Sequence, residues 1–152
     1  MTGITLDQAS RIIAAGFEKG RAIGLKPLSI AVLDPGGHLV AFARGDGSST
    51  LRPQIACAKA GGALGLGVSS RVIGEMAAER PAFVASLGPV SPHGVIPAAG
   101  GVIVVDEAGA VLGAIGVTGD TSDNDELCAL AGIAAVGLWP KGQNPRPAQS
   151  NG

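Results

Sequence analysis

The chain contains no tyrosine, and aromatic residues make up only 3% of its 152 positions. It also lacks any basic block: eleven Lys and Arg stand against twelve Asp and Glu, for a net charge of −1. Nucleic-acid binding needs clustered cations for the phosphates and aromatic platforms for the bases, so this composition argues against it. Charged residues reach only 15% against 46% hydrophobic ones, which excludes disorder over most of the length. No run approaches the roughly 20 apolar residues of a membrane span. The opening residues Met1 to Gln8 lack the basic flank and apolar core of a signal peptide, so a cytoplasmic domain is expected. Cys57 and Cys128, the only two cysteines, suit neither a disulfide framework nor a zinc-finger spacing and read as reduced, structural thiols. No nucleophile elbow, P-loop or zinc-protease motif is present, and no metal site is expected.

Glycine, by contrast, is abundant, with 25 residues. Small side chains let backbones approach closely but bury little apolar area each. Added burial between copies would compensate, so a homo-oligomer is expected.

The periodicities give an element order. Thr5-Leu6-Asp7-Gln8 has the form of a capping box, followed by Ala9, Ile12, Ile13, Gly16, Phe17 and Gly20 at helical spacing, with a stop at Gly24. Leu28 to Leu33 and Leu39 to Ala43 read as a hairpin around Asp34-Pro35-Gly36-Gly37-His38. After a polar loop, Arg52-Pro53 opens a helix that runs to about Gly65–Gly67. A second helix follows Ser69 or Ser70, with Val72, Ile73, Met76 and Ala77 on its apolar face, and Arg80-Pro81 ends it before a short helical piece to Leu87. The segment from Gly88 to Gly101 reads as a loop with a short strand near Val95-Ile96. Val102 to Val105 and Val111 to Val117 flank Asp106-Glu107-Ala108-Gly109, a hairpin signal, and a last helix presents Leu127, Leu130, Ala131, Ala134 and Leu138 as a stripe. Hairpins without βαβ alternation argue for α+β: a mostly antiparallel sheet with helices packed on it. Residues 1–139 form the expected domain, and the Pro-, Asn- and Gln-rich stretch 140–152 reads as a disordered tail. The glycines of Gly113 to Gly119 lie within a strand, outside the strand–turn–helix context of a dinucleotide fingerprint.

These motifs together resemble the GlcG/HbpS family, related to the C-terminal domain of PduO-type proteins. The resembling residues are Val32 to Val40, Arg44 and Asp46, Ile55-Ala56 with Lys59-Ala60, Pro97, Gly100-Gly101, Leu112 to Val117, Asp125-Glu126 and Ala131-Gly132. The resemblance covers about residues 3–138 and implies a five-stranded antiparallel sheet flanked by helices, in a single domain. It also implies higher homo-oligomers and binding of haem or a corrinoid, as in some relatives.

The candidate site residues come from chemistry-bearing positions. Arg52 stands at a helix N-terminus suited to anions, and Lys59 follows two turns later on nearly the same side, so the pair can hold a carboxylate or propionate. Lys59 lies in an otherwise small and apolar helix and needs a partner, for which Asp120 and Asp125 are candidates. Gly119-Asp120 forms an elbow before the last helix, with Asp120 free of the cap and able to face a ligand. Asp123 and Asp125 suit the first turn of that helix through its dipole. His93, in a Pro-rich loop, is the stronger histidine candidate, and His38, in a turn, the weaker. The expected function is binding of a small anionic ligand, with haem or a corrinoid as the family-based choice. The alternative is an enzyme or accessory factor in carboxylate or carbonyl catabolism that uses Lys59, His93 and Asp120 for acid–base work.

Overall fold

The computed structural model describes residues 3–142. Helix α1 (Leu6–Ala22) is closed at its start by the capping box. Gln8 N–H donates to Thr5 Oγ1 at 3.1 Å, and Thr5 N–H donates to Gln8 Oε1 at 3.0 Å. Strands β1 (Ser29–Leu33) and β2 (Leu39–Arg44) follow as a hairpin. Helices α2 (Arg52–Leu66), α3 (Ser70–Glu79) and α4 (Pro81–Leu87) come next, the last continuing into a 3₁₀ turn at Gly88–Val90. The second hairpin is β3 (Gly101–Val105) with β4 (Val111–Thr118), followed by α5 (Ser122–Ala135) and the short β5 (Trp139–Pro140). The fold is α+β, a five-stranded sheet in the order β2-β1-β4-β3-β5 with every pair antiparallel.

Both faces of this sheet are covered, so β1 and β3 are buried along their whole length and read as continuous apolar runs. Ile30, Val32, Val102, Val104, Ile115 and Val117 point toward α1 and α5. The alternate positions Leu33, Ile103, Val105 and Ala114 point toward α2 and pack with Ala60 and Ala63. Glycine sets how closely α2 can lie: a Cβ on Gly116 would run into the Ala56 carbonyl, and one on Gly101 into the Lys59 carbonyl.

Two local expectations change. Val95-Ile96 forms no strand, because both sheet edges belong to β2 and β5 and this segment lies over α2, where Gly62 approaches the Val95 backbone. On α5 the buried face carries Asp125, Cys128, Ala129, Gly132 and Ile133, while Leu127 is exposed and Leu130 and Leu138 lean on the core only in part. Gly132 explains the rotation, since a Cβ there would stand 2.7 Å from the Ile12 carbonyl oxygen and hold α1 away. Pro140 pairs with Val104 in β5, and Lys141 N–H donates to Ile103 O at 2.8 Å. The remainder of the expected tail, from residue 143, lies outside the described residues. No helix among the described residues is long and apolar enough to cross a membrane.

Candidate functional site

The chemistry-bearing residues fall into two places, one on either side of α2. The first is built on the β1–β2 turn. Asp34 Oδ1 accepts the backbone N–H groups of Gly36 and His38, both at 2.9 Å, and Gly37 supplies the positive φ of 84° that the turn requires. These bonds, that from His38 first, hold the Asp34 carboxyl below its usual range. The same carboxylate lies 3.4 Å from His38 Nδ1, and His38 Nε2 has no hydrogen-bond partner among the described residues. The loop after the 3₁₀ turn comes back over this hairpin. His93 Nε2 is 2.8 Å from the Gly37 carbonyl; a carbonyl only accepts, so Nε2 carries the proton and donates. The His93 side chain packs against α2 at Gly61, where a Cβ would stand 2.9 Å from its Cδ2.

Between these pieces is a cavity of about 630 Å³. His38 and His93 supply its imidazoles, Gly61, Gly62 and Gly65 a floor without side chains, and Leu64, Leu87, Val90 and Val95 apolar walls. Among the described residues, no Lys, Arg, Asp or Glu lines it. Its volume lies within the roughly 300–1,000 Å³ of small-molecule sites, and its mostly apolar lining with a few polar groups is of the same kind.

The second place lies where β4 ends and α5 begins. Lys59 Nζ donates to Val117 O at 3.0 Å and to Asp125 Oδ2 at 3.2 Å, and Asp125 Oδ1 accepts the Asp120 N–H at 2.9 Å. Burial pushes the lysine down and the carboxyl up, toward their neutral forms; their mutual attraction opposes both shifts. Gly119, at φ 143°, lets the chain pass close to the Pro27 carbonyl. The Asp120 side chain is committed: Oδ2 accepts from Asn124 Nδ2 at 2.8 Å and Oδ1 from Lys26 N–H at 3.0 Å, which lowers its carboxyl to about 2. Arg52 donates from a guanidinium NH to Thr118 Oγ1 at 2.7 Å. Arg71 ties α3 to α5 through Glu126 and Asp123.

So Arg52, Lys59, Gly119, Asp120 and Asp125 gather at one end of the molecule. His93 stands against Gly61, two residues beyond Lys59 and therefore on the opposite side of the helix. Lys59, His93 and Asp120 do not converge. His38 lines the cavity although its sequence context marks it as the weaker histidine, and the Asp-x-Gly-x-His spacing that closes its turn is a readable signal. Burial pushes the Cys128 thiol up to about 11 and also raises that of Cys57, so both stay protonated at neutral pH. Among the described residues no three His, Cys, Asp or Glu side chains converge on one point.

Comparison with known proteins gives the family. A family model described as the haem-degrading protein HbpS-like family matches residues 4–134. The chain belongs to the HbpS-like family. Among solved structures, a double mutant of HbpS from Streptomyces reticuli is 30% identical with a TM-score of 0.77, covering 90% of this chain and 89% of that one. Protein ORFY of Klebsiella pneumoniae is 27% identical with a TM-score of 0.78, over 89% and 91% of the two chains. PduOC in complex with haem is 17% identical, with a TM-score of 0.78 over 90% and 96%, a likeness of fold. A comparison with curated proteins gives no match. The five-stranded HbpS-like sheet and its flanking helices are thus shared across sequences that differ at most positions.

Proposed function

We propose that this HbpS-like chain binds a haem-class tetrapyrrole in the cavity between the β1–β2 turn and α2, with His38 as the metal ligand. The observation that carries this reading is the Asp34–His38 pair. A carboxylate oxygen stands 3.4 Å from Nδ1, and Nε2 has no protein partner among the described residues, the kind of setting that metal-ligating histidines share. The family description, which concerns haem, points the same way. The residues fit such a group: a flat macrocycle needs a smooth floor, which Gly61, Gly62 and Gly65 provide, and apolar walls, which Leu64, Leu87 and Val90 provide. When bound, the group supplies an iron centre. His38 would hold that metal, and His93, anchored to the Gly37 carbonyl, would brace the turn that carries His38. Leu39 and Val90 at the cavity's edge are 51% and 79% exposed; a second copy covering them accounts for so much apolar surface, so we place the chain in a homo-oligomer.

The test is an absorbance titration of the purified protein with haemin, with cobalamin in parallel. The expected result is a saturable, stoichiometric Soret shift that His38→Ala abolishes, and that His93→Ala leaves at the same wavelength with weaker affinity. A response that never saturates, or one untouched by His38→Ala, overturns the assignment. Saturation by cobalamin alone would replace haem with a corrinoid.

A further inference from the structure

A row of polar side chains crosses the sheet at the end opposite the histidine cavity. Strand register sets Arg44 of β2 against Ser29 of β1, and Ser29 against Thr118 of β4. Directly opposed residues share a face and stand within about 5.5 Å at Cβ. That face is the one α2 covers, because Gly116, two residues before Thr118, meets the Ala56 carbonyl. Arg52 reaches onto this row from the first turn of α2 and donates to Thr118 Oγ1.

The row holds more hydrogen-bonding and charge capacity than the protein uses. Ser29 is fully buried, and its hydroxyl has no partner among the described residues. A buried hydroxyl left without a partner destabilises the fold unless something satisfies it. The half-buried Arg52 guanidinium touches only hydroxyls, those of Ser49 and Thr118, and among the described residues no carboxylate lies within 4.0 Å of Arg52 or Arg44. The nearby acid, Asp125, is already committed to Lys59 and the Asp120 N–H. Lys59 in turn feels the Arg52 charge, which depresses its proton affinity further. The α2 N-terminus adds to the positive field: no side chain caps it and its first turn holds no acid.

We propose that this end of the sheet is a second ligand site, distinct from the histidine cavity, that takes a small carboxylate. The Arg52 fork pairs with the carboxylate oxygens, as guanidinium geometry favours. Arg44 supplies a second cation from the edge strand. The Ser29 hydroxyl donates to the bound anion and ceases to be unsatisfied.

The test is a titration of the full chain with sodium acetate, with inorganic phosphate as a second arm at matched ionic strength, followed by NMR of the Arg52 side chain and the Ser29 and Thr118 amides. Saturable shifts confined to these residues are expected with acetate. Arg52→Gln should weaken binding about tenfold or more, the loss of a charged bidentate contact. It should also leave the haemin titration unchanged, so failure here is separable from failure of the tetrapyrrole reading. Ser29→Ala keeps the test sound even if Arg52→Gln perturbs folding: it should leave the free protein as stable as wild type or more so, yet weaken acetate. Non-saturable shifts, shifts that survive Arg52→Gln, or tighter binding of phosphate than of acetate would each overturn the proposal.

Discussion

Lys59 and Asp125 form an ion pair sealed between α2 and α5, with 3.2 Å from Nζ to Oδ2 and only 3% and 1% of the two residues exposed. Both charges are also bonded internally, Lys59 to the Val117 carbonyl and Asp125 to the Asp120 N–H. Removing one partner leaves the other buried and unpaired. Asp125→Ala should therefore cost about 3–5 kcal/mol, and thermal melting should fall by about 10 °C or more. Replacing both, as Lys59→Met with Asp125→Leu, should recover most of that loss in urea unfolding. If the double variant is as unstable as the two single losses added together, the pair is not acting as a coupled unit.

Separation along the chain decides which of these contacts the sequence makes legible. A lone lysine among Ala, Cys and Gly on α2 announces that a buried acid must exist, and the acidic start of α5 narrows the choice to Asp120 or Asp125. Choosing between them needs the position of α5 on α1, which Gly132 sets through contact with Ile12. The hairpins and the capping box are local, so turn glycines and the Thr5–Gln8 spacing were enough to read them. On α5, small residues such as Ala129 and Gly132 face the core, so a periodicity read from the leucines picks the stripe through Leu127 instead. Strand β5 is two residues long and includes a proline, which reads as the start of a tail. The histidine cavity joins residues 35–39, 61–66 and 87–95, and only tertiary structure brings these together.

Asp120 gives the pH prediction. Its carboxyl is lowered to about 2, first by the Asn124 side-chain amide and then by the Lys26 N–H. A folded pKa below the unfolded one means the contribution to stability is present above about pH 3.8 and is lost as pH falls toward 2. Carboxyl-carbon NMR should show Asp120 titrating near 2 in the folded protein. Asn124→Ala should move it upward, toward the ordinary aspartate value. An Asp120 midpoint that ignores Asn124→Ala would place the cause elsewhere.

Two glycine-to-alanine changes should act in opposite directions. At Gly116 the added methyl runs into the Ala56 carbonyl, so α2 must lift off the sheet, and about 3 kcal/mol should be lost. At Gly65, within α2, an added Cβ meets nothing within 4 Å, so the gain in helix propensity of up to about 1 kcal/mol should appear undiminished. Chemical denaturation of the two variants side by side reads both signs. A stable Gly116→Ala protein would mean the α2–sheet spacing is softer than the contacts indicate.

Gly61→Ala separates helix stability from the shape of the cavity. In a helix interior, alanine is favoured over glycine by about 1 kcal/mol. The new Cβ, however, would stand 2.9 Å from His93 Cδ2 and 3.1 Å from His93 Cβ, so the imidazole must shift away from α2. The side chain that moves is the one whose Nε2 holds the Gly37 carbonyl at 2.8 Å, so the strain passes to the turn that carries His38. Global stability should stay within about 1 kcal/mol of wild type, since the propensity gain offsets the displaced contact. The His93 Nε2 proton, protected by its bond in the wild type, should exchange faster in ¹⁵N–¹H spectra of the ring. Haemin affinity should fall about tenfold, as one lost neutral hydrogen bond implies. Unchanged proton exchange would show that the ring can slide while keeping Gly37, and the brace between the loop and the turn would then not depend on the bare helix surface at Gly61.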